Sequence, residues 1–229
     1  MRTPAPIVIS IGGSLVAPAV GIDVVFLKTL RTLIVRETKK GKRFMLIVGG
    51  GSTARQYMKA AQSVVGLTPD DMDWLGIHAT RINGHLLRAV FRDVAHPVIV
   101  KDPSRKISWR EPVLVAAGWK PGWSTDYVAT RLAHLYGSDT VINLTNIERV
   151  YDKDPAKYAD AKPFDRISWK DFRKIVGEVW NPGANAPFDP IASKLADRSG
   201  IRVIIAKGSD LKNVKKILDD KTFVGTVID

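Results

Sequence analysis

The sequence contains no cysteine among its 229 residues. This absence excludes disulfide bonds and thiolate metal ligands, and it is typical of proteins that stay in a reducing compartment. The chain also lacks any apolar run near the roughly 20 residues that cross a bilayer. Its first ten residues, MRTPAPIVIS, carry no apolar core of a signal peptide. We therefore expect a cytoplasmic protein without a membrane partner.

Several widespread motifs are missing as well. There is no G-x-x-x-x-G-K-[ST], which argues against a P-loop enzyme, and no G-x-G-x-x-G follows a predicted strand, so a dinucleotide-binding domain is not indicated. The four histidines are not spaced as metal ligands. Helix-turn-helix, RNP and zinc-finger spacings are also absent, so we do not expect nucleic acid as a partner.

Acidic residues are scarce relative to basic ones, with 23 Asp and Glu against 35 Lys and Arg, and the formal net charge is +12. The excess is densest in residues 28–43, where the only acid is Glu37. The simpler interpretation of this segment is a solvated helix face and the turn after it. A polyanion-binding face is the alternative, because such a field attracts anions.

Short apolar runs alternate with segments of helical periodicity along the whole chain. Strands are predicted at 6–10, 44–50, 96–101, 112–117, 140–145, 201–206 and 222–228. Helices are predicted around 25–34 and at 53–65, 70–92, 127–137, 169–176, 189–200 and 211–220, with a loop at 177–187. Repeated strand–helix–strand order predicts one α/β domain over 1–229, a three-layer αβα sandwich with a mostly parallel central sheet.

Three glycine-rich turns follow predicted strands. They are Gly12-Gly13-Ser14, the run from Gly49 to Ser52, and residues 118–125. In open α/β sheets, ligands bind beyond the carboxyl ends of the strands. Glycine lets backbone N–H groups approach an anion, and the helix that follows adds partial positive charge. The turns therefore predict a phosphate or oxyanion site, although no lysine stands in ISIGGSLV at 9–16.

Six segments, in this order, resemble the amino acid kinase superfamily, and the archaeal type of uridylate (UMP) kinase in particular. They are SIGGS, IVGGGSTARQY, DWLGIHATRINGHLL, PGWSTDYVA, INLTNIERVYDKDP and FDPIASKLADRSGI. The resemblance implies transfer of the γ-phosphoryl group of ATP to UMP with Mg²⁺, giving ADP and UDP. It also implies an acceptor-binding part at roughly 1–137, an ATP-binding part at roughly 138–229, and a hexamer built from dimers.

The same resemblance assigns site residues. It implies catalytic roles for Arg55 and Asp126, and makes Asp189 a weaker candidate. The ATP-binding set is Gly12, Gly13, Ser14, Gly51, Arg55, Thr145, Asn146, Tyr151 and Asp154. The UMP-binding set is Gly50, Asp73, Trp119, Lys120, Pro121, Gly122, Trp123, Ser124 and Thr125.

Most of these residues also have an ordinary structural explanation. Arg55 could be a surface arginine, Asp73 an acid at a helix start, and Asp126 a helix cap. The pair Asp154-Pro155 is also typical of a plain turn.

The chain departs from the family pattern at several positions. Glu148 and Arg149 replace the usual Asp and Gly of DGVY, and Trp123 stands where the archaeal type commonly has histidine. Ser10 occupies the place of a lysine found in much of the superfamily, which the archaeal type also lacks. Two alternatives therefore stay open. One is a related kinase for a different small phosphate, carboxylate or carbamate, and the other is a non-catalytic storage subunit that binds nucleotides or oxyanions.

Overall fold

The computed structural model describes residues 4–177 and 186–229. Most of the loop predicted at 177–187, residues 178–185, lies outside the described residues.

A seven-stranded sheet forms the centre of the molecule. The strands along the chain are β1 (Ile7–Ile11), β2 (Phe44–Val48), β3 (Val113–Ala116), β4 (Thr140–Thr145), β5 (Val150–Tyr151), β6 (Pro163–Phe164), β7 (Arg166–Ile167), β8 (Arg202–Lys207) and β9 (Thr226–Ile228). The sheet has the order β3-β2-β1-β4-β8-β9-β7, and β5 and β6 form a separate antiparallel pair. Within the sheet only the β8–β9 pairing is antiparallel. The predicted mostly parallel sheet is thus confirmed.

Helices cover both faces of this sheet. They are α1 (Gly13–Val16), α2 (Val24–Thr38), α3 (Gly51–Gln62), α4 (Pro69–Val90), α5 (Thr125–Tyr136), α6 (Trp169–Val176), α7 (Pro190–Arg198) and α8 (Leu211–Leu218). One apolar core packs α2, α4 and α8 on the first face, and a second core packs α5, α6 and α7 on the other. The three-layer αβα prediction is therefore confirmed.

Strand residues are divided between the two cores by the two-residue period of β structure. In β1, Val8 belongs to the core with α5, whereas Ile9 and Ile11 belong to the core with α2. Burial on both faces explains why the central strands are almost continuously apolar. Ser10 interrupts this pattern, and it faces the same side as Val8.

The prediction of a strand at 96–101 is wrong. This segment makes only isolated bridges, Ala95 with Val113 and Val100 with Ala116. The His96 N–H donates to the Val113 carbonyl and the Val100 N–H donates to the Val115 carbonyl, so four residues of this segment span two residues of β3 and the ladder is not continuous.

The basic segment at 28–43 carries several ion pairs. Arg31 pairs with Asp93 at 2.8 Å, and the fully buried Glu37 carboxylate lies 2.9 Å from Lys40 and 3.0 Å from Lys42. Part of the positive charge is thus balanced within the fold, as expected for a solvated helix face. Among the described helices, none is both long and apolar enough to cross a membrane.

Two glycine turns meet at the carboxyl edge of the sheet. The Gly49 N–H donates to the Ile11 carbonyl at 3.0 Å, and the Gly12 N–H donates to the Leu144 carbonyl at 2.8 Å. A methyl group on Gly13 would lie 2.5 Å from the Gly49 carbonyl carbon and would also clash with the Gly51 nitrogen. The two turns therefore approach so closely that only glycine fits at Gly13.

We expect Gly13→Ala to lower the free energy of unfolding by at least about 2 kcal/mol, because the backbone atoms it meets cannot move aside cheaply. Gly66→Ala is the matched control, since an added Cβ there meets nothing within 4 Å. Urea unfolding of both variants measures the difference. A Gly13→Ala protein as stable as the Gly66→Ala protein would contradict the packing argument.

Candidate active site

The candidate site lies where the parallel strands end and four helices begin. The first glycine turn leads from β1 into α1, and the second leads from β2 into α3. The N-termini of α5 and α7 belong to the opposite helical layer. Backbone N–H groups and helix N-termini concentrate partial positive charge at such an edge.

Arg55 connects the two glycine turns. It projects from the first turns of α3, is exposed, and its Nη2 donates a hydrogen bond to Ser14 Oγ at 3.1 Å. The guanidinium group thus lies beside the turn formed by Gly12, Gly13 and Ser14. An arginine held there can offer two N–H groups to a phosphate.

Asp126 joins three elements of the fold. Ser10 Oγ of β1 donates to Asp126 Oδ1 at 3.0 Å, and the backbone N–H of Asp189 donates to Asp126 Oδ2 at 3.3 Å. Asp126 itself lies in the first turn of α5, whose N-cap is Ser124. The carboxylate therefore contacts β1, α5 and the N-terminus of α7 at once.

Asp189 is the N-cap of α7 and is only 3 % exposed. Its Oδ1 accepts hydrogen bonds from the N–H groups of Ile191 and Ala192. Its buried Oδ2 has no hydrogen bond of acceptable geometry within the described part of the chain. The helix start therefore uses one oxygen of this carboxylate and leaves the other available to a ligand.

The pKa values of both carboxyl groups are raised. Burial raises the pKa of Asp126 to about 7, the negative charge of Asp189 adds to the rise, and the hydrogen bond from Ser10 opposes it. Burial also raises the pKa of Asp189, against the opposing effect of the nearby Ser124 hydroxyl and the helix N–H groups. Paired carboxyl groups at a helix-lined edge are typical of a functional site.

Helix α4 holds the third glycine-rich loop in place. Asp73 Oδ2 accepts a hydrogen bond from the Gly122 N–H at 2.6 Å. About two turns further along the helix, Thr80 Oγ1 accepts from the Gly118 N–H at 2.7 Å. The next residue, Arg81, donates to the Trp119 carbonyl at 2.8 Å. Asp73 and the loop were predicted to share a site, and the structure brings them together.

Thr80 and Arg81 were missed by the sequence analysis. The sequence signal that could have identified them is their spacing. They follow Asp73 by seven and eight positions, which places them on nearly the same face of a helix as Asp73. In the structure these polar side chains hydrogen-bond the loop that crosses α4 between Asp73 and Arg81.

Aromatic rings line the loop at 119–127. Trp123 lies between Trp119, at a centroid distance of 5.9 Å, and Tyr127, at 4.0 Å. The Lys120 ammonium lies 4.4 Å from the centre of the Trp119 ring. The tryptophan that departs from the family pattern is thus part of an aromatic array of mutually tilted rings. Pro121 and Thr125 belong to the same segment.

The predicted ATP-side residues follow β4. Thr145 is the last residue of this strand and Asn146 follows it, and Thr145 Oγ1 donates to Asn146 Oδ1 at 3.1 Å. Tyr151 lies in β5, and the Asp154 carboxylate accepts from the Ala156 N–H at 2.9 Å. The described hydrogen bonds of Asp154 are local, so its part in shaping a turn is directly visible.

Both residues of the ERVY departure make ion pairs. Arg149 Nη1 lies 2.7 Å from Asp165 Oδ1, and Glu148 Oε1 lies 3.8 Å from Lys207 Nζ. Lys207 is the last residue of β8 and is aligned with Thr145 across the sheet. The sequence analysis missed Lys207, because only the β4–β8 register reveals that it lies beside Thr145.

Comparisons with known proteins agree with this arrangement. The model of the amino acid kinase family matches residues 5–207. A uridylate kinase of Thermoplasma volcanium is 35% identical over 226 residues, covering 97% of this chain and 97% of the relative. One of Methanocorpusculum labreanum is 33% identical over 225 residues, covering 97% and 94%. The crystal structure of uridylate kinase from Archaeoglobus fulgidus superposes with a TM-score of 0.80 at 29% identity, covering 97% of this chain and all of the other.

These archaeal relatives confirm the resemblance that the six sequence segments indicated. The family match spans the two glycine turns, the loop at 118–125 and the strand that ends at Lys207. The chain therefore belongs to the amino acid kinase family.

Proposed function

We propose that the protein is a uridylate kinase that transfers the γ-phosphoryl group of ATP to UMP, giving ADP and UDP. The observation that carries this proposal is the direct contact of the two glycine turns, with Arg55 beside Ser14 and the 118–125 loop anchored on α4. The near full-length similarity to uridylate kinases supports the choice of substrates. An acceptor-binding part near 1–137 and an ATP-binding part near 138–229 belong to the same proposal.

The proposed reaction does not require a strong general base. A phosphate oxygen of UMP is already ionised at neutral pH, so the protein has to align the two substrates and neutralise charge. In this proposal the N–H groups of Gly12 and Gly13 bind the ATP phosphates, while Gly50 and Gly51 lie between donor and acceptor. Arg55 then contributes a cation at the junction.

The acceptor would lie along the 119–125 loop. Asp73 accepts from the Gly122 N–H in the structure, and the carboxylate has further lone pairs for the ribose hydroxyls. Ser124 and Thr125 can donate to the nucleotide, and the aromatic array offers a stacking surface for the base. On the donor side, Thr145, Asn146, Tyr151 and Asp154 would contact ATP.

Magnesium fits the residues at Asp126 and Asp189. These carboxyl groups are adjacent, and Asp189 Oδ2 is a buried acceptor without a satisfactory hydrogen bond within the described residues. Mg²⁺ prefers such oxygen ligands and usually binds through one or two carboxylates together with substrate phosphates. When bound, the ion would neutralise phosphate charge, and Ser10 would hold the Asp126 carboxylate toward it.

The oligomeric part of the proposal is a hexamer assembled from dimers, in a cytoplasmic protein. An exposed stripe on α4 supports assembly: Trp74 is 40% exposed, Ile82 is 65% exposed, and His78 lies between them at the same four-residue spacing. Apolar side chains aligned on one helix face are typical of a protein interface.

Purified protein with ATP, Mg²⁺ and a panel of nucleoside monophosphates tests the proposed reaction. We expect UMP-dependent ADP release, and a loss of about 10²-fold in kcat/KM in Arg55→Ala, because a charge-assisted bidentate contact is removed. Arg92→Ala, an exposed arginine just after α4, is the control and should keep wild-type kinetics.

Two results would overturn the proposal. Turnover with a different small phosphate, carboxylate or carbamate, but not with UMP, would indicate another kinase of the family. Tight ATP binding without turnover on any acceptor would indicate a storage function instead.

The raised pKa of Asp126 predicts a pH-dependent stability in magnesium-free buffer. The folded protein binds this proton more tightly than the unfolded chain, so the contribution of Asp126 to stability is largest below the unfolded pKa of about 3.9 and falls as the pH rises to about 7. After allowance for partial exposure, we expect Asp126→Asn to remove about 1–2 kcal/mol of this fall. Urea unfolding at pH 5 and pH 8 measures the free energy of unfolding of both proteins. The same change in this free energy between the two pH values in wild type and in Asp126→Asn would refute the assignment.

Disrupting the α4 stripe tests assembly. We expect Ile82→Glu to shift the protein to smaller species, because a charge would be buried in the interface. Val224→Glu is the control, since Val224 is 41% exposed and lies far along the chain between α8 and β9. Light scattering after size exclusion gives the masses, and an unchanged mass for Ile82→Glu would exclude this stripe as an interface.

A further inference from the structure

The carboxyl edge of β8 carries a cation that the assignments above leave without a role. Lys207 ends β8, and its only described ion pair joins Nζ to Glu148 Oε1 at 3.8 Å. The two side chains are 45% and 56% exposed. An exposed pair at this distance adds little stability, so a phosphate group can replace the carboxylate as the partner of Lys207.

The position of Lys207 follows from the register of the sheet. Thr145 of β4 is aligned with Lys207 of β8, and the Gly208 N–H donates to the Thr145 carbonyl at 2.8 Å. On the other side of β4, the Gly12 N–H donates to the Leu144 carbonyl at 2.8 Å. Neighbouring strands lie about 4.8 Å apart, so the backbone of Lys207 is about 10 Å from the first glycine turn.

The backbone after Lys207 also packs on the helix that follows this turn. A Cβ added at Gly208 would clash with the side chain of Leu15 in α1 and would lie 3.0 Å from Leu144 Cβ. The end of β8 is thus held against α1, and the flexible lysine stem starts from a fixed point beside the turn.

The side chain of Lys207 projects to the site side of the sheet. Ala206 belongs to the core with α2 and α8, and Ile205 belongs to the core with α5 and α7. Alternation along the strand therefore puts Lys207 on the face of Ile205. Ser10 and Thr145 share that face, as does the Asp126 carboxylate that Ser10 contacts.

We propose that Lys207 binds the triphosphate of the donor nucleotide and that Glu148 is its partner only while the donor site is empty. This inference rests on the proposed kinase function, with ATP as donor. It supplies a second cation, besides Arg55, for a glycine turn whose strand carries Ser10 in place of a lysine. It also gives Glu148 a role, because its carboxylate competes with phosphate for Lys207.

Steady-state kinetics of Lys207→Met, Lys207→Arg and Glu148→Gln test the proposal, with ATP and UMP varied separately. Because one charge-assisted phosphate contact is lost, we expect Lys207→Met to raise the KM for ATP about tenfold and to leave the KM for UMP unchanged. Lys207→Arg should stay within about threefold of wild type, since the charge is retained. Glu148→Gln should lower the KM for ATP, because it frees the lysine.

Calorimetric binding separates a phosphate contact from a change in the rest of the site. Lys207→Met should weaken ATP binding about tenfold while adenosine binding stays at the wild-type value. Lys216→Met, which removes an exposed lysine of α8, is the control of equal charge change and should match wild type in every measurement.

The directions in which the two substitutions change the KM for ATP distinguish the proposal from a purely structural ion pair. If the pair only holds the turn at 146–149, Lys207→Met and Glu148→Gln will raise the KM for ATP together, and the proposal is overturned. It is also overturned if Lys207→Met turns over UMP with an unchanged KM for ATP. A wild-type protein without UMP-dependent ADP release would instead refute the proposed function itself.

Discussion

The close approach of two backbone turns determines the geometry of the site. Gly13 and Gly49 lie so near each other that a single methyl group cannot be placed between them. This contact fixes the ends of β1 and β2, and hence the starts of α1 and α3. Because Arg55 extends from α3 to Ser14, its position depends on the same contact. Small residues here are therefore a condition for the close approach of the two turns and for the contact between Arg55 and Ser14.

The parts of the structure that sequence predicts well depend on local signals. Helix α4 begins where a capping threonine, a proline and two aspartates stand together, and the structure has a capping box between Thr68 and Asp71 there. The glycine turns follow apolar strands as predicted. The apolar run at 96–101 is typical of a strand, but two extra residues between His96 and Val100 interrupt the hydrogen-bond ladder with β3.

The contacts that sequence could not predict join distant parts of the chain. Ser10 and Asp126 are 116 positions apart, and only the packing of α5 against β1 brings them together. Lys207 meets Glu148 through the register of β4 and β8. Neither contact produces a periodic pattern in the sequence. Each depends on the order of the strands in the sheet and on their register, which a shift of one residue would change. A resemblance to a family names conserved motif positions, but it says nothing of ion pairs at positions where this chain departs from the motif.

The serine at position 10 changes the electrostatics of the whole edge. A lysine on β1 next to Asp126 would hold that carboxylate ionised, because an opposite charge at hydrogen-bond distance lowers the pKa of an acid. A neutral hydroxyl opposes the rise only weakly, so burial and Asp189 raise the pKa of Asp126 to about 7. Binding of a cation between the two carboxyl groups would release this proton and remove their repulsion. In the proposed kinase, magnesium arriving with ATP would add positive charge at this edge, and it would shift Asp126 toward its ionised form.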